Sequence, residues 1–261
     1  MQPRRVQIGL LAVVLAIILY FSYPTKVTLL LSTDTNFRLL DPLIDRRWSI
    51  ELTHFTSFPK CSDQKITYYV KSQYWMNYER RQRARQTWGK GKNLVFLCFS
   101  KEDSKVNSTK QTPPPDLNFQ DILLSDSYPE SADFLSVKIA LGVYHASQCN
   151  SHAAFTDDDV HFFVDRFEKM VFENWELNST VAVRGYFHHE EPPVRDKKSP
   201  WAKYLQTLQE YPYNKFPTYA HGAGYIASVL AVKEIVKTIP YTRVLRHVDD
   251  VYFGLLSRDA N

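Results

Sequence analysis

Residues 152–164, His-Ala-Ala-Phe-Thr-Asp-Asp-Asp-Val-His-Phe-Phe-Val, decide how this chain is read. Ala153-Ala154-Phe155 has the composition of the end of a buried strand. It opens directly onto three carboxylates, Asp157, Asp158 and Asp159, and an apolar run resumes at Val160. Three adjacent like charges are costly beside a core unless a cation compensates them. Side chains alternate along extended backbone, so Asp157 and Asp159 are expected to face one site and Asp158 another. Two hard oxygen ligands on one rim suit Mg2+ or Mn2+ held jointly with a substrate's phosphates. A solvated acidic turn would use the same residues, but such a turn has no need to be clamped between two buried segments.

Strand-like and helix-like patterns alternate on either side of this stretch. Ile66–Val70, Leu94–Phe99, Asp121–Leu124 and Thr180–Gly185 have strand composition. Glu79–Trp88, residues 132–148, Phe163–Trp175, Val229–Ile239 and a segment opening at Asp249 read as helices. Such alternation predicts an α/β fold, a mixed and mainly parallel sheet flanked by helices. Ligands of these sheets bind beyond the carboxyl ends of the strands, where the aspartates fall.

The length suits one catalytic-size domain, placed at 64–261, with short appendages. Residues 24–63 carry charges, Pro24, Pro42 and Pro59 and no sustained period, and read as a stem. Residues 6–23 are apolar apart from Gln7 and hydroxyls and follow Arg4 and Arg5, which predicts an N-terminal transmembrane helix. The arginines would keep residues 1–5 cytoplasmic and the remainder lumenal. Two sequons, at Asn107 and Asn178, agree with that side of the membrane. A lumenal setting permits one disulfide among Cys61, Cys98 and Cys149; the sequence leaves the pairing open, and Cys98 reads as a core residue. A net charge of +4 is too mild to call for a nucleic-acid partner.

Three further stretches could carry chemistry. In the basic run Glu79–Gly89, Arg81 and Arg85 share a helix face, and guanidinium forks suit phosphate or ribose recognition; a solvated helix face, and a processing or nucleic-acid patch at Arg80-Arg81-Gln82-Arg83, are the competing readings. In Phe216–Ser228, Gly222 and Gly224 would let backbone approach a ligand, or would form a tight turn between buried aromatics. In His247–Gly254, Asp249 suits a helix N-cap and Asp250 the first turn, where a carboxylate either serves as a general base or simply caps.

Together these stretches resemble the β-1,3-galactosyltransferase-like family of glycosyltransferases (family 31). The matching motifs, in the family's order, are Arg80 to Gly89, Asp126-Ser127-Tyr128 with Leu135-Ser136-Val137-Lys138, and Thr156-Asp157-Asp158-Asp159-Val160. Lys198-Ser199-Pro200-Trp201, Phe216 to Tyr225 and Asp249 to Gly254 follow. The resemblance implies a GT-A (Rossmann-like) fold in a type II Golgi membrane protein. It implies inverting transfer of galactose or N-acetylglucosamine from a UDP-sugar, with Mn2+, to a hydroxyl of a glycan or glycoprotein acceptor in β-1,3 linkage. Carried over by position, Asp250 would be the catalytic base and Asp157 and Asp159 would hold the metal. Arg81, Arg85, Asp157 and Asp158 would hold the nucleotide, with Gly222 and Gly224 near the donor sugar. Acceptor choice is expected in the long loop 187–215 and its flank, where Tyr186, His188, His189 and Trp201 could face a sugar.

The chain departs from the family pattern at Phe155-Thr156, where a lysine is usual, and at Asp249, where glutamate is usual. Family members also commonly supply a C-terminal histidine to the metal; here either His221 or His247 substitutes, or the metal is weakly held, or the copy is truncated or inactive. A catalytically inactive, membrane-anchored glycan-binding or chaperone-like relative is the alternative function.

Overall fold

Seven strands form one sheet: β1 (Phe55–Ser57), β2 (Ile66–Lys71), β3 (Asn93–Lys101), β4 (Ile122–Pro129), β5 (His152–Asp157), β6 (Val183–His188) and β7 (Tyr219–Ala227). A computed structural model describes residues 50, 55–101, 114–116, 119–173 and 180–260. The expected membrane helix 6–23, most of the stem and both sequon asparagines lie outside them. Among the described residues, no helix is long and apolar enough to cross a membrane.

The strand order is β1-β4-β3-β2-β5-β7-β6. β4, β3, β2 and β5 are mutually parallel. β2 is buried along its whole length, as a parallel strand covered on both faces must be. β1 and β7 run antiparallel to their neighbours, and β6 is antiparallel to β7, so five strands point one way.

Helices cover both faces of this mixed α/β sheet. One face packs α2 (Leu135–Gln148), α4 (Val229–Ile235) and α5 (Asp249–Asp259) onto Tyr69, Leu97, Phe155 and Tyr225. The other packs α1 (Tyr78–Gln86) and α3 (Val164–Glu173) onto Tyr68, Val70, Phe96 and Ile226. The alternation along β2, Tyr68 and Val70 one way and Tyr69 the other, is the pleat expressed in packing.

Four expectations need correction. The stem region 24–63 contains β1, paired with β4. The Gly222–Gly224 segment is neither loop nor turn but lies inside the nine-residue strand β7. A Cβ at Gly224 would come within 2.8 Å of the Phe162 ring, so this glycine serves packing against the segment that follows the aspartates. The helix expected over 229–239 stops at Ile235 and tightens into a 3-10 turn, Val236–Thr238. Asp249 is the first helical residue of α5, and the N-cap position falls to Val248, whose side chain makes no cap.

Cys61 and Cys149 are joined in a disulfide, tying the segment before β2 to the C-cap of α2; Cys98 is buried and free.

Candidate active site

The carboxyl ends of β2 and β5 lie side by side, with Lys71 directly opposite Asp157. Lys71 is only 5% exposed, and its ammonium bonds Asp157 Oδ1 at 3.0 Å and Asp249 Oδ2. The Asp249 carboxylate therefore turns inward to a buried cation instead of capping its helix. A buried lysine is tolerated only when paired in this way. Burial works against its charge, but the two carboxylates overcome that and raise its pKa above the ordinary lysine value.

Asp250 follows in the first turn of α5. Its Oδ1 accepts the Val251 N–H at 2.8 Å. Its Oδ2 lies 3.5 Å from where a Cβ on Gly222 would stand, so β7 runs in ordinary contact range of this carboxylate. Burial and then the Asp249 charge push the Asp250 pKa up to about 6, with Lys71 opposing them. Burial likewise raises Asp157, against the pull of Lys71, and the Asp249 and Asp159 charges add to the rise. Beneath this group Tyr225 packs its ring on Phe155 and Phe253. Its buried hydroxyl has no hydrogen-bond partner among the described residues.

The other two aspartates are placed differently from the alternation expected of a strand. β5 ends at Asp157, and Asp158 and Asp159 form a turn. Asp158 is 5% exposed and accepts hydrogen bonds from Asn77 Nδ2 at 2.8 Å and Arg80 Nη1 at 3.0 Å. It therefore anchors the positive end of α1, where a carboxylate is favoured. Asp159 is 62% exposed and shares Arg80 with Asp158, at 3.5 Å. Of the triplet, Asp157 and Asp159 retain carboxylate surface open to a ligand.

The arginine helix delivers Arg80, not Arg81, to the rim. Arg81 is fully buried, and all five of its N–H donors are used. Nε and Nη2 grip Asp116 at 2.7 and 2.9 Å, and the rest go to Ser72 Oγ and the carbonyls of Gln73 and Tyr74. No donor remains for a nucleotide. Arg85, one turn further from the rim, bonds both oxygens of Asp121 and one of Asp116 and lies over the Phe96 and Phe119 rings. Lys138, in the expected family motif, bonds the Ser72 carbonyl at 2.7 Å and pairs with Glu130, which in turn accepts the Tyr74 N–H at 3.3 Å. Arg81, Lys138 and Glu130 thus clamp the turn 72–74 immediately after Lys71, and the motif arginine and lysine act on the site through its backbone.

Neither candidate histidine joins Asp157 and Asp159. His247 Nε2 pairs with Asp133 at 2.9 Å. His221 Nδ1 accepts the Ala223 N–H at 3.1 Å. Among the described residues, no group of three or more His, Cys, Asp or Glu stands arranged for a metal ion. Lys71, Asn77 and Arg80 are the site residues that the sequence reading missed. The available signal for Lys71 was a lone ammonium closing an otherwise apolar strand, but its partners are set by strand order, which spacing does not reveal.

Comparison with known proteins agrees with the motifs. Residues 79–261 match the family described as Galactosyltransferase. The chain is 26% identical to lactosylceramide 1,3-N-acetyl-beta-D-glucosaminyltransferase A of Danio rerio over 229 residues, 78% of this chain and 59% of that protein. It is 27% identical to beta-1,3-galactosyltransferase 5 of Homo sapiens over 192 residues, 69% of this chain and 59% of that protein. With the Rattus norvegicus lactosylceramide 1,3-N-acetyl-beta-D-glucosaminyltransferase the figures are 29% over 199 residues, 69% of this chain and 50% of the relative. The chain thus spans between half and three fifths of the length of these relatives.

Proposed function

Because the chain belongs to the galactosyltransferase family, we propose that it is an inverting, UDP-sugar-dependent β-1,3-glycosyltransferase of GT-A type. It would move galactose or N-acetylglucosamine to a hydroxyl of a glycan or glycoprotein acceptor, as a type II protein of the Golgi membrane. The observation that carries the reading is Asp250. It is a single carboxylate raised to about 6, at the carboxyl-end rim of a parallel sheet, beside a strand whose glycine leaves space against it.

In direct displacement the acceptor oxygen bonds to the anomeric carbon as the bond from that carbon to the diphosphate oxygen breaks. Asp250 takes the proton of the acceptor hydroxyl, and the UDP leaves with the bonding electrons. A base with a pKa near 6 is ionised at neutral pH yet still basic enough to accept that proton. Inversion needs only this one carboxylate opposite the leaving group. Lys71 neutralises Asp249 and Asp157, which leaves Asp250 as the unpaired carboxylate of the group.

Mn2+ would neutralise the departing diphosphate. Asp157 and Asp159 fit it by donor chemistry, since they are hard oxygens on one rim and Asp159 is largely exposed. Substrate phosphates and water would complete such a shell. Arg80, beside Asp158 and Asp159, is the guanidinium placed to assist the nucleotide.

The test is transfer from UDP-galactose and UDP-N-acetylglucosamine, with Mn2+ or chelator, on the wild-type chain and two variants. Asp250→Asn is expected to bind UDP normally and lose at least about a hundredfold in turnover. Asp159→Ala is expected to lose the Mn2+-dependent part of UDP binding. Normal turnover by Asp250→Asn would remove the base from its role. Glycan binding without transfer from either donor would favour the inactive, glycan-binding relative.

A further inference from the structure

Edge strand β6 and its neighbour β7 carry a group of rings outside the acidic cluster. Tyr186 is 48% exposed, and its ring lies 5.2 Å from His188 and 6.5 Å from His221, edge-on to both. His188 and His221 lie 5.4 Å apart, and His188 stacks on Tyr219 at 5.0 Å. This wall adjoins the proposed base through the backbone. His221 precedes Gly222, which packs against Asp250, and Tyr219 packs against Gly254 of α5.

The hydrogen bonds at its rear fix what the wall presents. Glu191 accepts from His188 Nδ1 at 2.6 Å through one oxygen and from the Tyr219 hydroxyl at 2.9 Å through the other. Against the cost of burial, these two bonds hold the Glu191 carboxyl below its ordinary range, so it is an acceptor. His188 therefore donates through Nδ1, which leaves its Nε2 as the ring nitrogen turned away from Glu191. His221 is the reverse: its Nδ1 accepts the Ala223 N–H, so its proton lies on Nε2, a donor. Burial, then the neighbouring His188 and Lys71, disfavour protonation of His221, though Glu191 opposes them. One exposed aromatic ring beside two imidazoles whose Nδ1 atoms are already engaged by the protein matches a pyranose. The apolar C–H face of that sugar stacks on a ring, and each of its hydroxyls both donates and accepts.

We propose that Tyr186, His188 and His221 form the subsite for the terminal sugar ring of the acceptor, and that Glu191 holds the His188 ring in place for it. This rests on the glycosyltransferase reading, and it assigns acceptor recognition to the β6–β7 edge and not to the whole loop 187–215. His189 bonds Thr218 instead, and Trp201 stacks on Tyr204.

The experiment is saturation-transfer NMR on the full chain, with methyl β-galactoside and methyl β-N-acetylglucosaminide as probes. Wild type is expected to transfer saturation to one of the two sugars. Tyr186→Ala and His221→Leu are expected to weaken that binding about tenfold or more, and Tyr186→Phe to retain it. Matched melting temperatures guard against misfolding. Equal signals from wild type and both weakening variants, or no signal from wild type with either sugar, would overturn the proposal. Donor hydrolysis by wild type without acceptor reads the enzymatic assignment separately, so failure of one is distinguishable from failure of the other.

Discussion

Lys71 sits between Asp157 and Asp249, and its charge reaches Asp250. Removing it has a definite sign. A nearby cation favours the ionised carboxylate, so in Lys71→Gln the Asp250 pKa rises above about 6. Less of the base is then ionised at a given pH, and the acid limb of kcat/KM moves to higher pH. About one unit is expected, equivalent to about 1.4 kcal/mol. A full pH–rate profile of wild type and Lys71→Gln checks this. A lower plateau with an unmoved acid limb would mean that Lys71 only supports the fold. The clamp behind Lys71 explains why neutralising Lys71 is preferable to disturbing Arg81. Stripping the guanidinium would leave Asp116 buried without its chief partner, together with the carbonyls of Gln73 and Tyr74.

At the scale of elements, the junction of β5 with α4 contains an acid-sensitive contact. His152, 4% exposed at the start of β5, accepts the Val229 N–H of α4 through Nδ1 at 3.3 Å. Burial and then the Lys65 charge lower its pKa to about 4. The unfolded chain, with an ordinary histidine near 6.5, takes up the proton first. The contact therefore contributes fully above about pH 6.5 and is lost as pH falls toward 4, by about 3 kcal/mol at most. Denaturant midpoints at pH 7 and pH 4.5 should converge more in His152→Gln than in wild type; identical pH losses in the two would discard the assignment.

The same strand shows what the sequence made legible. β5, β2 and β3 were readable because their apolar runs are buried on both faces, a pattern that depends on composition alone. β7 was not, because Gly222 and Gly224 lower strand propensity and the steric reason for Gly224 lies across space, at the Phe162 ring. Within the site, the positions of Asp157 and Asp250 were legible as the carboxylate that directly follows an apolar run and a carboxylate in the first turn of a helix. The burial of Arg81 was not, since its partner Asp116 lies in a polar connection that composition assigns to solvent.

Across the whole molecule, the two halves of the chain contribute different parts of the site. The parallel half supplies Lys71 and Asp157 from neighbouring strand ends; the antiparallel extension supplies Gly222 from β7 and, with α5, Asp249 and Asp250. Only the first half carries a covalent tie, Cys61–Cys149, which closes a loop of sequence separation 88 around β2, α1, β3, β4 and α2. On a loop-entropy account such a tie contributes about 4.6 kcal/mol by restricting the unfolded chain. Neither cysteine touches the acidic group, so Cys61→Ser/Cys149→Ser should unfold at lower denaturant by roughly that amount while keeping its turnover below the transition. The third cysteine supplies an internal check. Burial pushes the Cys98 thiol up to about 12, so it is un-ionised and inaccessible in the native chain. Native wild type should therefore show no thiol reactive toward an aromatic disulfide reagent, and the same chain unfolded without reductant should show one. Two further thiols should appear only after reduction. A native thiol count above zero would place Cys98 at the surface or leave Cys61 and Cys149 unpaired. In the second case the first half would lack the staple that holds β2, and with it Lys71, in register against β5.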